Sequence, residues 1–438
     1  MNLTQRLLII GASAALALGL SWGQRPPAAA DPATSISYPA ASSNTRYTGR
    51  AFDTCTAPSL DAIRAWKDSP YRALGVYIGG DGRTCAQPNL TKSWVGAVSR
   101  LGWKLIPIYL GPQPSSANRP RGSTIKLSTA SAQGRAAADD AIAQAKALGM
   151  IAGSAIYYDV EAYDRGNTND VKAVLTFESA WTRQLHAKGY LSGLYLNLTR
   201  GAADTAGVYT STSYARADAI WIARWDGSTS LKGWAGISDS KWAVHQRGKQ
   251  YRGDHTETYG GVTINIDSDQ FDAPVATVLY SYKVTAPVSL NARTGPSTSY
   301  ETVKKLPAGT SLKIVCQTNG GTVKTTKVWD RLSDGTYVSD YYVSTPSGTG
   351  MSKPLPRCRH SYQVDVSSKV NVRTGPGTSY ATVGSIPNGG LAAVVCQKKG
   401  SKVGTTTVWN KLDDATWVSD YYVTNRSNTT YSAPLQRC

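Results

Sequence analysis

From residue 281 to residue 438 the chain repeats itself with a period of 80. Asn291–Ala292–Arg293–Thr294–Gly295–Pro296 returns as Asn371–Val372–Arg373–Thr374–Gly375–Pro376, and Val315–Cys316–Gln317 returns as Val395–Cys396–Gln397. Trp329 returns as Trp409, and Val338–Ser339–Asp340–Tyr341–Tyr342–Val343 returns as the run Val418 to Val423. A register kept without insertion over this length requires two copies of one small domain, here 281–358 and 361–438. Each copy reads as short strands between Gly, Pro and Asn turns with no helical periodicity, so each is expected to be a small all-β barrel or barrel-like unit.

Six cysteines divide along the same lines. Cys316 and Cys358 belong to one copy and Cys396 and Cys438 to the other, each pair 42 positions apart, while Cys55 and Cys85 lie in the first half. None has the close spacing of a zinc or redox site, so all six are expected in structural disulfides, with Cys316–Cys358 and Cys396–Cys438 favoured inside the repeats. A small core gains much from such a cross-link.

Residues 49–275 have a different grain. Apolar strands are expected at Arg50–Cys55, Ala73–Gly79, Lys104–Leu110, Ala155–Ala162, Leu191–Asn197, Ala219–Trp225, Trp242–Gln246 and Val262–Asp267. Helices are expected at Leu60–Lys67, Thr91–Leu101, Ser131–Leu148 and Val171–Ala187, each stopping near Gly, Pro or Ser. Eight strands with helical crossovers in this length are the count for a (β/α)8 TIM-type barrel, so the fold class expected is α/β followed by two small all-β barrels. An open doubly wound sheet would want a Gly-rich phosphate loop after strand one, where Thr54–Cys55–Thr56–Ala57–Pro58 stands instead.

The fourth strand ends in two acids one residue apart. Strand side chains alternate, so Asp159 and Glu161 share a face with Cα atoms roughly 6.5–7 Å apart. Buried same-side carboxylates are costly without partners or a task, and glycosidic cleavage is a task that needs two of them. Asp53 ends strand one and Asp267 is read as ending strand eight, with Asp269 just beyond; strands one and eight are neighbours in a closed barrel. Four carboxylates would thus converge at the mouth. By strand parity Tyr157, Tyr163, Trp221 and Trp225 share the inner or mouth-side face, and Tyr77, Tyr109 and Tyr195 join them as candidates. Tyr77, Tyr109, Tyr163, Tyr195 and Trp225 are therefore carried as sugar-binding candidates. Of the four histidines only His245, placed on strand seven, could reach the mouth.

These residues resemble a known pattern. Asp53 after strand one, Asp159–Val160–Glu161 on strand four and Ile266–Asp267 followed by Gln270–Phe271 look like the lysozymes of glycoside hydrolase family twenty-five. A nearer resemblance is to a related actinobacterial glycoside-hydrolase-like domain of unknown function, carried by Ala51–Phe52–Asp53–Thr54–Cys55, Val76–Tyr77–Ile78–Gly79–Gly80, Ile106–Pro107–Ile108–Tyr109, Tyr157–Tyr158–Asp159–Val160–Glu161 and Trp221–Ile222–Ala223–Arg224–Trp225. The repeats resemble bacterial SH3-like domains of secreted actinobacterial proteins. The resemblance implies Glu161 as general acid, kept protonated by nearby Asp159. Asp159 itself would hold a substrate acetamido group for attack on the anomeric carbon or act as the direct nucleophile, with Asp53 and Asp267 positioning sugar hydroxyls or tuning the pair.

Charge and flanking segments complete the reading. The formal charge is +18, and residues 281–438 carry 19 Lys and Arg against 8 Asp and Glu. A basic surface suggests an anionic partner, and no DNA-reading motif favours nucleic acid. Arg6, the apolar run Leu7–Leu20 and Pro26–Pro27–Ala28–Ala29–Ala30 read as a signal peptide over 1–30, followed by a linker over 31–48. No second apolar run is long enough to span a membrane. The expectation is a secreted, wall-associated monomer without cofactor or metal, a hydrolase acting on peptidoglycan or a related cell-wall polysaccharide, its repeats serving as targeting modules. The alternative is a non-catalytic wall-binding protein with a degenerate hydrolase barrel.

Overall fold

The computed structural model describes residues 45–117, 122–425, 430–432, 435 and 437–438. The expected signal peptide, and all of the expected linker but 45–48, lie outside them. Eight strands close into a barrel in sequence order: β1 (Thr45–Asp53), β2 (Ala73–Gly79), β3 (Lys104–Tyr109), β4 (Ala155–Val160), β5 (Leu191–Asn197), β6 (Ala219–Ala223), β7 (Arg247–Tyr259) and β8 (Val262–Val275).

The connections before β6 carry helices. Ser59 caps α1 (Leu60–Ala65) by accepting from the Ala62 amide, Thr91 caps α2 (Lys92–Arg100) through Trp94, and Asn167 caps α4 (Thr168–Ala187) through Asn169 and Asp170. Each uses a short oxygen-bearing side chain to satisfy an orphan amide of the first turn. The alanine-rich α3 (Ala130–Ala147) buries Ala137, Ala138, Ala141 and Ala145. Its approach to α4 is so close that a Cβ on Gly134 would stand 2.4 Å from the Phe177 carbonyl oxygen. The short α5 (Ala202–Gly207) links β5 to β6.

The barrel departs from the expected (β/α)8 design. β1 through β7 are parallel neighbours, but β8 runs antiparallel to both β7 and β1, and no helix lies between β6 and β7 or between β7 and β8. Gly260 and Gly261, with φ of 57° and 78°, make the two-residue turn that folds β7 back into β8. Glycine reaches this left-handed region without strain, and a hairpin that tight forces antiparallel pairing. Strand seven therefore follows the expected Trp242–Gln246 segment instead of occupying it, and β8 runs on eight residues beyond Asp267. Across the described residues strand (40%) outweighs helix (18%), so the molecule is mainly β.

The repeats also differ from closed small barrels. The first contains β9 (Tyr280–Lys283), β10 (Ser289–Arg293), β11 (Thr302–Pro307), β12 (Ser311–Val323), β13 (Thr326–Leu332) and β14 (Tyr337–Ser339), ordered β11-β10-β14-β13-β12-β9 in one curled sheet. The second contains β15 (His360–Gln363), β16 (Lys369–Arg373), β17 (Thr382–Pro387), β18 (Leu391–Val403), β19 (Thr406–Leu412) and β20 (Trp417–Ser419), in the equivalent order β17-β16-β20-β19-β18-β15. Each sheet keeps two edges: β11 and β17, solvent-exposed along most of their length, lie opposite β9 and β15 and do not pair with them. Disulfides join Cys55 to Cys85, Cys316 to Cys358 and Cys396 to Cys438. The core of the first repeat, including Leu290, Ile314 and Val338, is continuous with the layer between barrel and helices. The second repeat has its own core, touched by Val244, and its Asp413 is held by Arg46 of β1 and by Arg359.

Candidate functional site

Alternation along the strands decides what faces the barrel axis. Ala51, Ala73, Ile106, Ile108, Tyr157, Trp221 and Phe271 pack together inside. Trp221 meets Phe271 at 5.0 Å and Tyr195 at 5.1 Å between ring centroids, mostly edge to face. Small residues make room for these rings: a Cβ on Gly193 would lie 2.3 Å from Tyr157, and one on Gly248 would lie 2.8 Å from Phe271. The result is an aromatic floor that fills the lower barrel.

Above that floor opens a cavity of about 860 Å³. Asp53, Asp159, Glu161 and Asp267 all line it, together with Tyr77, Tyr195, Trp225 and Gln250. The β1–β8 pairing sets Asp53 directly across from Asp267. Asp267 is thus a mid-strand residue on an antiparallel strand, and it reaches the mouth because β8 runs downward from it. The Cys55–Cys85 disulfide, Arg83 and Arg224 form part of the rim. Asp226 accepts from both Arg224 (2.6 Å) and Lys249 (2.5 Å), so one carboxylate answers two cations there.

Two glutamines organise the acids. Gln113 donates to the Asp159 carbonyl (2.8 Å) and accepts from the Glu161 amide (2.9 Å), clamping the backbone on both sides of Val160. Gln250 is buried; its amide nitrogen donates to Asp53 Oδ2 (2.9 Å) and Asp267 Oδ2 (3.1 Å), and its oxygen accepts from the Tyr195 hydroxyl and the Trp225 indole, each at 2.8 Å. That uses all four of its hydrogen-bonding positions. Tyr77 makes a longer contact to Asp159 Oδ2 at 3.5 Å.

A fifth acid lies beneath the other four. Asp269 is fully buried, accepts from the Trp221 indole at 2.9 Å and hydrogen-bonds to Asp53. Burial, with the Asp53 charge beside it, lifts its carboxyl well above the usual range. Burial and the facing Asp267 push Asp53 up to about 8, against the lowering bonds from Gln250 and Asp269. Desolvation disfavours the charged form and a like charge adds to it, so both groups carry protons near neutral pH. Burial, reinforced by the acids around it, also holds the Tyr195 hydroxyl well above its ordinary value, which keeps it a donor to Gln250.

Residues 64–271 match the Rv2525c-like, glycoside hydrolase-like domain. In sequence, 55 residues are 44% identical to the uncharacterized protein YraI of Bacillus subtilis; they are 11% of this chain and 46%, about half, of that relative's length. In structure, an uncharacterized B. stearothermophilus protein aligns over 51% of this chain and 95% of its own at 20% identity, TM-score 0.33. The modular autolysin LytC from Streptococcus pneumoniae, solved with a synthetic peptidoglycan ligand, aligns over 51% and 46% at 14% identity, TM-score 0.31. The modular Cpl-1 endolysin, complexed with a peptidoglycan analogue, aligns over 86% and 83% at 11% identity, TM-score 0.31.

The barrel gathers most of the candidates named from sequence. Tyr77, Tyr195 and Trp225 line the cavity with the four acids, and Trp225 is 64% exposed at the rim. Its ring lies on β7, where a Cβ on Gly253 would come within 2.2 Å of it. Tyr109 and Tyr163 do not line the cavity: each points into the helix layer, donating to Asp140 and Asp204 respectively. His245 does not reach the mouth; it precedes β7 and pairs with Asp272 at 2.8 Å, near the opposite end of β8. Gln113 and Gln250 were missed, and Asp269 was noted only as lying beyond Asp267. Parity places Asp269 with Asp267 and Phe271 on one face, but Gln250 required placing β7 correctly. Among the described residues no group of three or more His, Cys, Asp or Glu side chains is arranged to hold a metal ion.

Proposed function

We propose that the cavity hydrolyses an amino-sugar glycan of the cell wall, of the peptidoglycan type. The observation that carries this reading is the convergence of Asp53, Asp159, Glu161 and Asp267 on one aromatic-floored cavity with an exposed tryptophan at its edge. Acids in pairs are what glycoside cleavage uses, and an indole face is suited to a sugar ring. Glu161, at the end of β4 with its backbone clamped, gives its proton to the glycosidic oxygen as the bond to the anomeric carbon breaks. Asp159 orients the substrate's acetamido group, whose oxygen bonds to that carbon as the leaving group departs. Water then attacks the same carbon, the bond to the acetamido oxygen breaks, and the proton lost by the water returns to Glu161. Asp53 and Asp267 hydrogen-bond to sugar hydroxyls and hold the ring in place.

Three disulfides fit an oxidising, extracellular site of action. No helix among the described residues is long and apolar enough to cross a membrane. The excess of Lys and Arg in the two repeats suits them to hold the enzyme on anionic wall polymers, an attraction that salt weakens.

The test is reducing-sugar release from purified peptidoglycan and from chitin oligomers, comparing the full chain with Glu161→Gln. Release that falls by about 10²-fold or more in the variant is expected for a lost general acid. Retained binding to either glycan with no release by the unaltered chain would replace hydrolysis with binding as the function.

A further inference from the structure

The acids of the cavity are connected to its sugar platform by one side chain. Gln250 sits on β7 between Asp53 of β1 and Asp267 of β8 on one side and Tyr195 of β5 and Trp225 on the other. A glutamine whose oxygen accepts two donors cannot turn its amide over without losing four bonds at once. Its two N–H groups therefore stay aimed at the two carboxyls. Trp225 is the only one of these partners with most of its surface in solvent, 64% exposed, and so the one a ligand can press upon. Under its ring, Gly253 leaves the space that lets the indole lie against β7 with its N–H directed inward.

We propose that Gln250 is a positioning residue that couples occupancy of the Trp225 platform to the ionisation of the Asp53–Asp267 pair. A sugar stacked on Trp225 fixes the indole, the indole N–H fixes the amide oxygen, and the amide N–H groups stabilise negative charge on the facing carboxyls. The groups facing the pair are Asp269 from β8, Gln250 and Asp254 from β7, the Asp254 amide donating to Asp267, and Tyr195 from β5, with Asp159 and Glu161 across the cavity and Arg83 and Arg224 at its rim. Among the described residues Gln250 alone donates to both Asp53 and Asp267 while also accepting from Trp225 at the rim. The Gln250 bond pulls the Asp53 carboxyl down against burial and the Asp267 charge, so loosening it lets Asp53 titrate higher. The identity of the platform's ligand rests on the glycan reading above; the link from Trp225 through Gln250 to the acids does not.

The experiment is a pH titration of the aspartate carboxyls by ¹³C NMR on the full chain, for the unaltered protein, Gln250→Leu and Trp225→Phe. Phenylalanine keeps an aromatic ring, though a smaller one, on the surface and removes the indole N–H that reaches Gln250, so this variant reads the link even where Gln250→Leu fails to fold. Gln250→Leu is expected to raise the Asp53 midpoint by about one unit, and Trp225→Phe to raise it by a smaller amount in the same direction. An unmoved Asp53 midpoint in folded Gln250→Leu, or in Trp225→Phe, would overturn the proposal and leave Gln250 a packing residue. Adding a tetramer of N-acetylglucosamine is expected to shift the Asp53 midpoint in the unaltered chain and to shift it less in Trp225→Phe. Binding of the tetramer with equal shifts in both proteins would also overturn the proposal. No tetramer binding by any of the three proteins would count against the glycan reading, while the titrations of the free proteins still decide the link.

Discussion

The barrel and the first repeat both bury a carboxyl against a carboxyl, and they do it to different ends. In the barrel Asp53 faces Asp267 with Gln250 between them; in the first repeat Gln317 donates to Asp330 and Asp340, each at 2.8 Å. Burial first, and the neighbouring acid second, raise both Asp53 and Asp330 above the ordinary carboxylate range. The glutamines part company at their oxygens. Gln250 accepts from two rings that line an 860 Å³ cavity, whereas Gln317 accepts from the Ser352 amide and ties down a loop of its own repeat.

The second repeat makes the contrast sharper, because it places Asn410 where the first has Asp330. Gln397 donates to Asn410 and Asp420, and the Asn410 amide donates to Asp420 at 2.9 Å. An amide donor in one copy identifies the atom that must carry a proton in the other, so Asp330 is the protonated partner of Asp340. The acid there is exchangeable for its amide and is structural. What separates the barrel acids, to which the proposed function gives chemistry, from the structural pair is access to a cavity, since Asp53 and Asp330 are both buried and both perturbed.

The comparison can be broken at several points. Asp159→Asn removes a charge from the cavity and is expected to lower glycan turnover by about 10²-fold with the melting temperature little changed, checked by reducing-sugar release and calorimetry. Replacing Cys316 or Cys396 by serine opens a 42-residue span in either repeat and should cost about 4 kcal/mol by loop entropy. Similar losses in denaturant titration would confirm that the repeats are equivalent frames around different polar cores. Asp330→Ala leaves a Gln317 N–H without its acceptor and is expected to cost about 1–3 kcal/mol. Asp330→Asn, which copies the second repeat, is expected to cost little at pH 5.

Asp330→Asn should also change how stability depends on pH. A carboxyl raised by folding holds its proton more tightly folded than unfolded, so its contribution is full below the unfolded value and is lost as pH rises toward the folded one. The loss is about 1.4 kcal/mol for each pH unit in that window. The unaltered first repeat should therefore weaken from about pH 4 upward, and Asp330→Asn should flatten that slope. An unchanged slope in thermal unfolding between pH 5 and pH 9 would show that Asp330 is not the proton carrier.

Much of this arrangement was legible in the chain. The alternation of Tyr157, Asp159 and Glu161, and Asp53 at the end of its strand, indicate where the carboxyls lie because strand geometry has a period of two. The 80-residue register likewise indicates two like units with like disulfides. The illegible parts depended on strand direction and closure. Nothing between Trp225 and Arg247 has helical periodicity, yet the eight-strand count suggested a helix-flanked barrel; Gly260–Gly261 is the signal that β7 and β8 form a hairpin. With β7 assigned to Trp242–Gln246, Gln250 fell into a loop and His245 onto a strand. Tyr109 follows Ile106 and Ile108, which face inward, so its own parity points to the helices. The repeats curl without closing because β11 and β17 pair on one side only, a property of edges that the pattern within a strand does not carry.

The most direct test of the account sets Glu161→Gln beside Asp330→Asn in one assay of reducing-sugar release from purified peptidoglycan. Each replaces one acid by its amide, one in the cavity and one in the repeat. The expected result is release reduced by about 10²-fold or more for Glu161→Gln and unchanged for Asp330→Asn, with both proteins folded. Equal release by Glu161→Gln and the unaltered chain would contradict the assignment of chemistry to the cavity acids.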